Sequence, residues 1–441
     1  SDEALGFNLA VAAGSVSAST YNITAINANG LTASAGAPAT GNGLAANVIA
    51  NDAWTNTTAN PVNVVYTVVP VSASGCQGNP QTVTITVNPE PVLANLNTTK
   101  CSDEPLGFNL SVAAGSVAAS TYNITAINSN GLTASAGSPA TGTLLPANVI
   151  ADDSWTNTTP SSVNVIYTVV PVSSNGCAGN PRTITITVNP EPVMATPGST
   201  KCSREPLGFN LSVNAGGVAA ASYNITSINA NGLTASAGSP APGSLLPANI
   251  IADDAWINTT SSIVNVVYTV VPVSAAGCQG NPATITIAVK PEPVITAGQS
   301  VTSCSGNPLN YAVAVDNFIN PAGGVTFTWP APVLNPSSPS FTGGSARSVA
   351  SPANITDTFM NTLGVVGTAT YNITPYKDGC AGLPVTVVIN VGSEPVLDPG
   401  LNDDVCSNVA TGLVLREAAG SVTPTHYNIS DIIIEIGRAH V

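Results

Sequence analysis

The stretch VNVVYTVVPVSASGCQGNPQTVTITVNPEPV, residues 62–92, decides the fold. Val62 to Val71 carries β-branched residues on both faces, the composition of a strand inside a sheet. Thr82 to Val87 alternates Thr with Val or Ile at period two, the pattern of a strand with one buried and one wet face. Between them lie turn formers, Gly75, Gly78 and Pro80, so the two strands make a hairpin. The exit Asn88 to Val92, NPEPV, is held extended and semi-rigid by its two prolines.

The same hairpin returns down the chain. Thr183 to Val188 and Thr284 to Val289 repeat the alternating strand, and the openings SDEALGFNL at Ser1, SDEPLGFNL at Ser102 and SREPLGFNL at Ser203 set a period of 101 residues. A period of that size means whole domains. A fourth copy diverges but keeps CSGNPLNYAV at Cys304, then ANITDTF, TYNITPYKDGC and PVTVVINV. CSNVATGLVL from Cys406 and AAGSVTPTHYNIS, ending at Ser430, begin a fifth. The expected domains are 1–90, which lacks its leading strand and cysteine, then 91–191, 192–292, 293–394 and a truncated start at 395–434. The last seven residues, 435–441 (EIGRAHV), fit nothing in the repeat and resemble a translated sequencing adapter. Further strands are expected at Leu5 to Val11, Thr20 to Ile26 and Asn47 to Ile49, and no stretch sustains a 3.6-residue apolar period. Seven or so short strands per copy make an all-β tandem array of Ig-type β-sandwiches of about 101 residues with Greek-key connections.

Charge excludes some functions. Only 23 acidic and 9 basic side chains occur among 441 residues, 7% against a usual ~25%. A net charge of −14, roughly −3 per copy, leaves no basic patch for a phosphate backbone, so no nucleic-acid partner is expected. No apolar run approaches the ~20 residues of a spanning helix. Two histidines, His426 and His440, are too few for a Ser/His/Asp arrangement or a His metal cluster, and no enzyme is expected.

Eight cysteines admit two pairing schemes. Pairing within copies, Cys101 with Cys177, Cys202 with Cys278 and Cys304 with Cys380, gives a constant separation of 76, whereas pairing across junctions gives 25 or 26. The constant spacing favours the first scheme, which leaves Cys76 and Cys406 to partners outside the fragment, a cysteine before Ser1 and one beyond the end. Each bond would close a loop of about 77 residues and stabilise by roughly 4 kcal/mol in the chain-entropy model. Such regular disulfides point to an extracellular or cell-surface location.

Acids recur before tryptophan: Asp52 before Trp54, Asp152 and Asp153 before Trp155, Asp253 and Asp254 before Trp256. Glu90, Glu191 and Glu292 recur in the linkers. These read chiefly as solvated turns, so no cofactor is implied. The alternative is calcium on Asp152, Asp153, Asp253 and Asp254, although no D-x-D-x-D-G spacing is present. The tryptophans, replaced by Phe359 in the fourth copy, read as core plugs rather than sugar platforms.

Twelve N-x-S/T triplets occur, at Asn22, Asn56, Asn97, Asn109, Asn123, Asn157, Asn210, Asn224, Asn258, Asn354, Asn372 and Asn428. Three groups of them, in YNIT, W-x-N-T-T and GFNLS, fall at equivalent places in successive copies, as glycan attachment or as bare polar strand faces.

The motifs NGCAGNPRTITITVNPEPV (Asn175 to Val193) and KDGCAGLPVTVVINVGSEPV (Lys377 to Val396) resemble those of the PKD-like/Ig-like tandem repeats of secreted and cell-surface proteins of Bacteroidota. That resemblance implies a non-enzymatic rod, the shaft of a surface adhesin or a self-assembling extracellular fibre. Its partners would be head-to-tail copies or neighbouring repeats, with glycans as a further class. The alternatives are a carbohydrate-binding adhesin module and the spacer of a secreted hydrolase. Four such sandwiches in a row would extend on the order of 120–150 Å.

Overall fold

A computed structural model describes residues 1–318, 324–351 and 354–433, so the expectation about 435–441 lies outside the described residues. Among the described residues the regular structure is all β-strand, without helices. The second copy displays the plan. A five-stranded sheet runs in the order Gly142–Leu145, Ala119–Asn128, Val163–Ser173, Arg182–Asn189 and Thr98–Cys101. A two-stranded ribbon, Thr133–Ala136 with Ser154–Thr156, faces it. The third copy repeats this arrangement, and the fourth enlarges the main sheet to seven strands, five on its principal path and two more paired to Gly367–Lys377 off it.

The hairpin read from the sequence is present in every copy, as Val62–Ser72 with Gln81–Val87 in the first and Val163–Ser173 with Arg182–Asn189 in the second. The expected strand at Thr20 to Ile26 is Ala18–Asn27. Two expectations fail. Leu5 to Val11 forms no strand: its amides reach across to a neighbouring loop, Leu5 N–H donating to Asp52 O at 3.0 Å and Leu9 N–H to Ala46 O at 2.8 Å. Asn47 to Ile49 is part of a run of tight turns closed by Val48 to Ala45, Ala50 to Asn47 and Asp52 to Ile49 hydrogen bonds. The Leu5 to Val11 segment is apolar at alternating positions, yet its amides are satisfied by the facing loop, and the Asn47 to Ile49 stretch by its own turns, in neither case by a ladder.

Each copy buries its own core. In the second, Val165, Tyr167, Val169, Ile184, Ile186 and Val188 project from the hairpin onto Leu106, Leu110, Ile150 and Trp155. The period-two pattern therefore does what it implied, with the Val and Ile side chains inward and the Thr side chains outward. The described part of the fifth copy, from Pro395 to Ile433, forms no regular strand.

The lead strand, Thr98–Cys101 in the second copy, sets the geometry of everything that follows. It pairs in parallel with the last strand, in the register Ile186 to Thr98 and Asn189 to Cys101. Cys101 thus lies beside the C-terminal end of the last strand, whereas Cys177 lies in the loop that precedes that strand's start. Seven residues at ~3.3 Å each put about 23 Å between these two levels, several times the ~5.5 Å that a disulfide spans. A within-copy bond is therefore impossible.

Candidate functional site

Chemistry-bearing groups gather where one copy meets the next. The structure joins Cys101 to Cys278 and Cys202 to Cys380, which corrects the expected pairs Cys101–Cys177, Cys202–Cys278 and Cys304–Cys380. The constant spacing of 76 was uninformative, since any pairing between two repeated positions is periodic. Each bond links the lead cysteine of one domain to the hairpin-loop cysteine of the following domain, whose loop rests on the junction. Cys76, Cys177, Cys304 and Cys406 are free thiols.

The loop needs its glycine to come so close. A Cβ on Gly280 would stand 1.9 Å from the carbonyl oxygen of Pro192, and the equivalent contact at Gly179 with Pro91 is the same. This explains why the loops read GCQGNP and GCAGNP. Next to the glycine, Asn281 Nδ2 donates to Glu191 Oε1 at 3.4 Å, and Asn180 Nδ2 to Glu90 Oε1 at 3.3 Å, so each loop also touches the linker glutamate behind it.

Those glutamates are not solvated: Glu90, Glu191 and Glu292 are all buried, at 2% exposure or less. Their partners differ by copy. Arg204 binds both carboxylate oxygens of Glu292 at 3.0 and 2.9 Å. Glu191 instead faces Asp103, the residue equivalent to Arg204, and burial together with that second carboxylate pushes it up to about 7. Glu90 faces Asp2 and is raised for the same reasons, burial first. For Glu191 the folded state holds its proton more tightly than the unfolded state. Its contribution to stability is full below about 4.5 and is lost as pH rises through about 7. Asp103→Arg should transplant the ion pair of the third copy into the second. The expected result is a melting temperature higher at pH 8 and flatter between pH 5 and 8; an unchanged profile would show that Asp103 does not govern Glu191.

The recurrent acids before tryptophan divide into two kinds. Asp153 and Asp254 are buried at 2% exposure, as is Asp52, while Asp152 and Asp253 are exposed. Tyr167 Oη donates to Asp153 Oδ2 at 2.8 Å and accepts from Trp155 Nε1 at 3.1 Å, and the third copy repeats both distances with Tyr268, Asp254 and Trp256. Burial raises Asp254 to about 6, helped by the neighbouring Asp253 charge and opposed by the Tyr268 hydroxyl. The solvated-turn reading therefore fails for Asp52, Asp153 and Asp254, which fasten the ribbon to the central strand.

The calcium pairs do not converge either. One member of each is turned inward onto tyrosine, and among the described residues no group of three or more His, Cys, Asp or Glu is placed to hold a metal ion. Trp54, Trp155 and Trp256 are core residues at 5–6% exposure, as the plug reading expects. In the fourth copy Phe359 fills the corresponding place, and Trp329 packs edge-on against Tyr371 from another strand.

The triplets also separate. Asn56, Asn157 and Asn258 are wholly buried. Asn157 Nδ2 donates to Ser161 O at 3.0 Å and Val188 O at 2.8 Å, while its Oδ1 accepts from Thr159 N–H at 3.0 Å and Thr159 Oγ1 at 2.7 Å. No amide hydrogen remains for a sugar, so these three are corrected from glycan candidates to structural ties. Asn22, Asn123 and Asn224 accept from the backbone of Gly43, Leu144 and Leu245, each at 2.8 Å, and are buried or half-buried. Asn354 is half-buried and donates to Asn310 Oδ1 at 2.7 Å. Asn97, Asn109, Asn210, Asn372 and Asn428 are exposed.

Comparison with known proteins places this architecture. The family described as PKD-like domain matches four times, at residues 30–91, 98–192, 199–293 and 301–395. No curated protein matches the chain. Among solved structures, the human desmocollin-1 ectodomain is similar at 14% identity and a TM-score of 0.23, covering 81% of this chain and 73% of that one. A four-domain fragment of Drosophila N-cadherin is similar at 12% identity and a TM-score of 0.19, covering 89% and 96%. An I-band fragment of titin is similar at 10% identity and a TM-score of 0.27, covering 69% and 96%.

Proposed function

Because the chain belongs to the PKD-like domain family, in four successive copies, we propose that it is a non-enzymatic extracellular rod, the shaft of a surface adhesin or a fibre, built to carry load along its length. The observation that carries this reading is the pair of disulfides, each crossing a junction and not a domain. A bond inside a domain stabilises that domain alone, whereas a bond between neighbours restrains the angle between them. Buried linker glutamates and the glycine-to-proline contact act on the same joint, so three kinds of interaction resist bending there. Disulfides persist in oxidising surroundings, which supports an extracellular or cell-surface location. No helix among the described residues is long and apolar enough to cross a membrane.

A carbohydrate-binding module is less well supported, because the tryptophans that would serve as sugar platforms lie inside the cores. Electron microscopy in oxidising buffer tests the rod. Straight particles are expected, becoming visibly hinged at the second and third junctions after reduction. Particles equally hinged in both states would overturn the reading.

Glycans belong to the same proposal as a coat, on the exposed asparagines alone. In native material, site mapping should find sugar at Asn109, Asn210 or Asn372 and none at Asn56, Asn157 or Asn258. Sugar on any of the last three would show that the tie made by Asn157 and its equivalents is not formed when glycans are attached.

A further inference from the structure

The groups around the linker glutamates change together from junction to junction. Between the third and fourth copies, Arg204 holds both oxygens of Glu292 at 3.0 and 2.9 Å. The loop resting on that junction brings Gly382 against Pro293, and the residue after the glycine is Leu383, which is exposed. Between the second and third copies, Asp103 stands in the place of Arg204 and faces Glu191, and the residue after the loop glycine is Asn281, whose amide reaches Glu191. Between the first and second, Asp2, Glu90 and Asn180 repeat that set. Where the chain supplies a cation, both oxygen-bearing partners of the glutamate are gone; where it supplies none, both are present.

The two acidic junctions are also short of a donor. Glu90 is 1% exposed, and its Oε2 is the buried side-chain oxygen that has no hydrogen-bond partner among the described residues. The bonds that Glu90 and Glu191 receive from asparagine are 3.3 and 3.4 Å, long for N–H···O, whereas the guanidinium stands at 2.9–3.0 Å from Glu292. Buried carboxylates of one sign are costly unless a counter-charge sits among them. A proton shared by the acids would relieve their repulsion, but it would not explain why asparagine is lost at the same junction as aspartate. Turned by half a rotation, that amide presents its oxygen. Two carboxylates and an amide oxygen, with water completing the shell, form a donor set suited to calcium, which accepts mixed oxygen ligands in flexible geometry.

We propose that each acidic junction binds a calcium ion, held by Asp103, Glu191 and Asn281 between the second and third domains and by Asp2, Glu90 and Asn180 between the first and second. Arg204 is the chain's own substitute for that ion at the following junction. Each ion ties the opening and the linker of one domain to the hairpin loop of the next, away from the tryptophan-adjacent acids. The donor set is the same whether or not the chain carries load.

Calorimetric titration of the full chain with calcium chloride at pH 8 tests this, and two ions per chain are expected. With a dissociation constant on the order of 0.1 mM, about 10 mM calcium should raise the melting temperature by about 10 °C. Asp103→Arg with Asn281→Leu copies the arginine junction into the one before it, and this variant should bind one ion. Arg204→Asp with Leu383→Asn does the reverse and should bind three; a gained ion cannot come from a failure to fold. Asp253→Asn, at an exposed acid outside the junctions, should leave the count at two. No calcium binding by the unaltered chain, a count that both double variants leave unchanged, or a count that falls with Asp253→Asn would overturn the proposal.

Discussion

Pulled between its ends, the oxidised chain is expected to stop about 700 Å short of the reduced chain, because the overlapping bonds Cys101–Cys278 and Cys202–Cys380 leave only the stretch from Cys202 to Cys278 to bear the pull and bypass about 200 residues of about 3.5 Å each. The two bonds overlap between Cys202 and Cys278, which makes the effect unusual. When the second and third domains and the stapled part of the fourth unfold, the shortest route from Cys101 to Cys380 crosses to Cys278, runs back along the chain to Cys202 and crosses again, and that route bears the force. With one bond removed the route is only about 25 residues longer: Cys101–Cys278 alone bypasses 177 residues and Cys202–Cys380 alone bypasses 178. Either bond alone therefore keeps the chain short. Single variants Cys101→Ser and Cys202→Ser should each retain nearly the full restraint, and only the double variant should match the reduced protein. The first domain lies outside both loops and unfolds at full length in every state, an internal reference for the measurement. Single-molecule force spectroscopy reads this directly, and equal contour lengths with and without reductant would refute the cross-junction pairing.

Asn157→Asp is expected to destabilise the second domain by about 3–5 kcal/mol, enough to lower its melting temperature by roughly 15–30 °C. The substitution keeps shape and volume. It replaces the Nδ2 donor with an oxygen facing the carbonyls of Ser161 and Val188, at the end of the last strand, and adds a charge at a wholly buried position. Removing one partner from a buried polar network costs more than the network contributes net, since the remaining groups are desolvated without compensation. The same change at exposed Asn109 should stay within about 0.5 kcal/mol. Calorimetry of the two variants separates the structural triplets from the surface ones without reference to any sugar, and a mild effect at Asn157 would contradict the geometry.

The tie was legible only in part. Asn-Thr-Thr two residues after Trp54, Trp155 and Trp256 is a recurring pattern, and recurrence read equally well as a glycan series or as scaffold. The fourth copy held the deciding clue: Asn361 keeps the same bonds, to Val365 O at 2.9 Å and Val391 O at 2.8 Å, where Asn361-Thr362-Leu363 is no longer a glycosylation triplet. Comparable information existed for the linker glutamates. Asp2 and Asp103 give way to Arg204 at one position of the opening motif, and the residue each of them faces is a glutamate nearly ninety positions away, a separation at which sequence adjacency carries no information.

The amino-acid sequence by itself determined the class of fold, the period and the number of copies. Alternation of side chains along a strand is a local property, and a hairpin with Gly75, Gly78 and Pro80 in its loop closes without help from the remainder of the chain. Only the tertiary structure decided which cysteines meet. The lead strand runs parallel to the last strand, which sends its cysteine to the far end of its own domain and against the loop of the next. Parallel and antiparallel edge pairing place the same residues on the same faces, so the hydrophobic pattern cannot distinguish them, and the direction of one four-residue strand determines whether the disulfides close domains or join them.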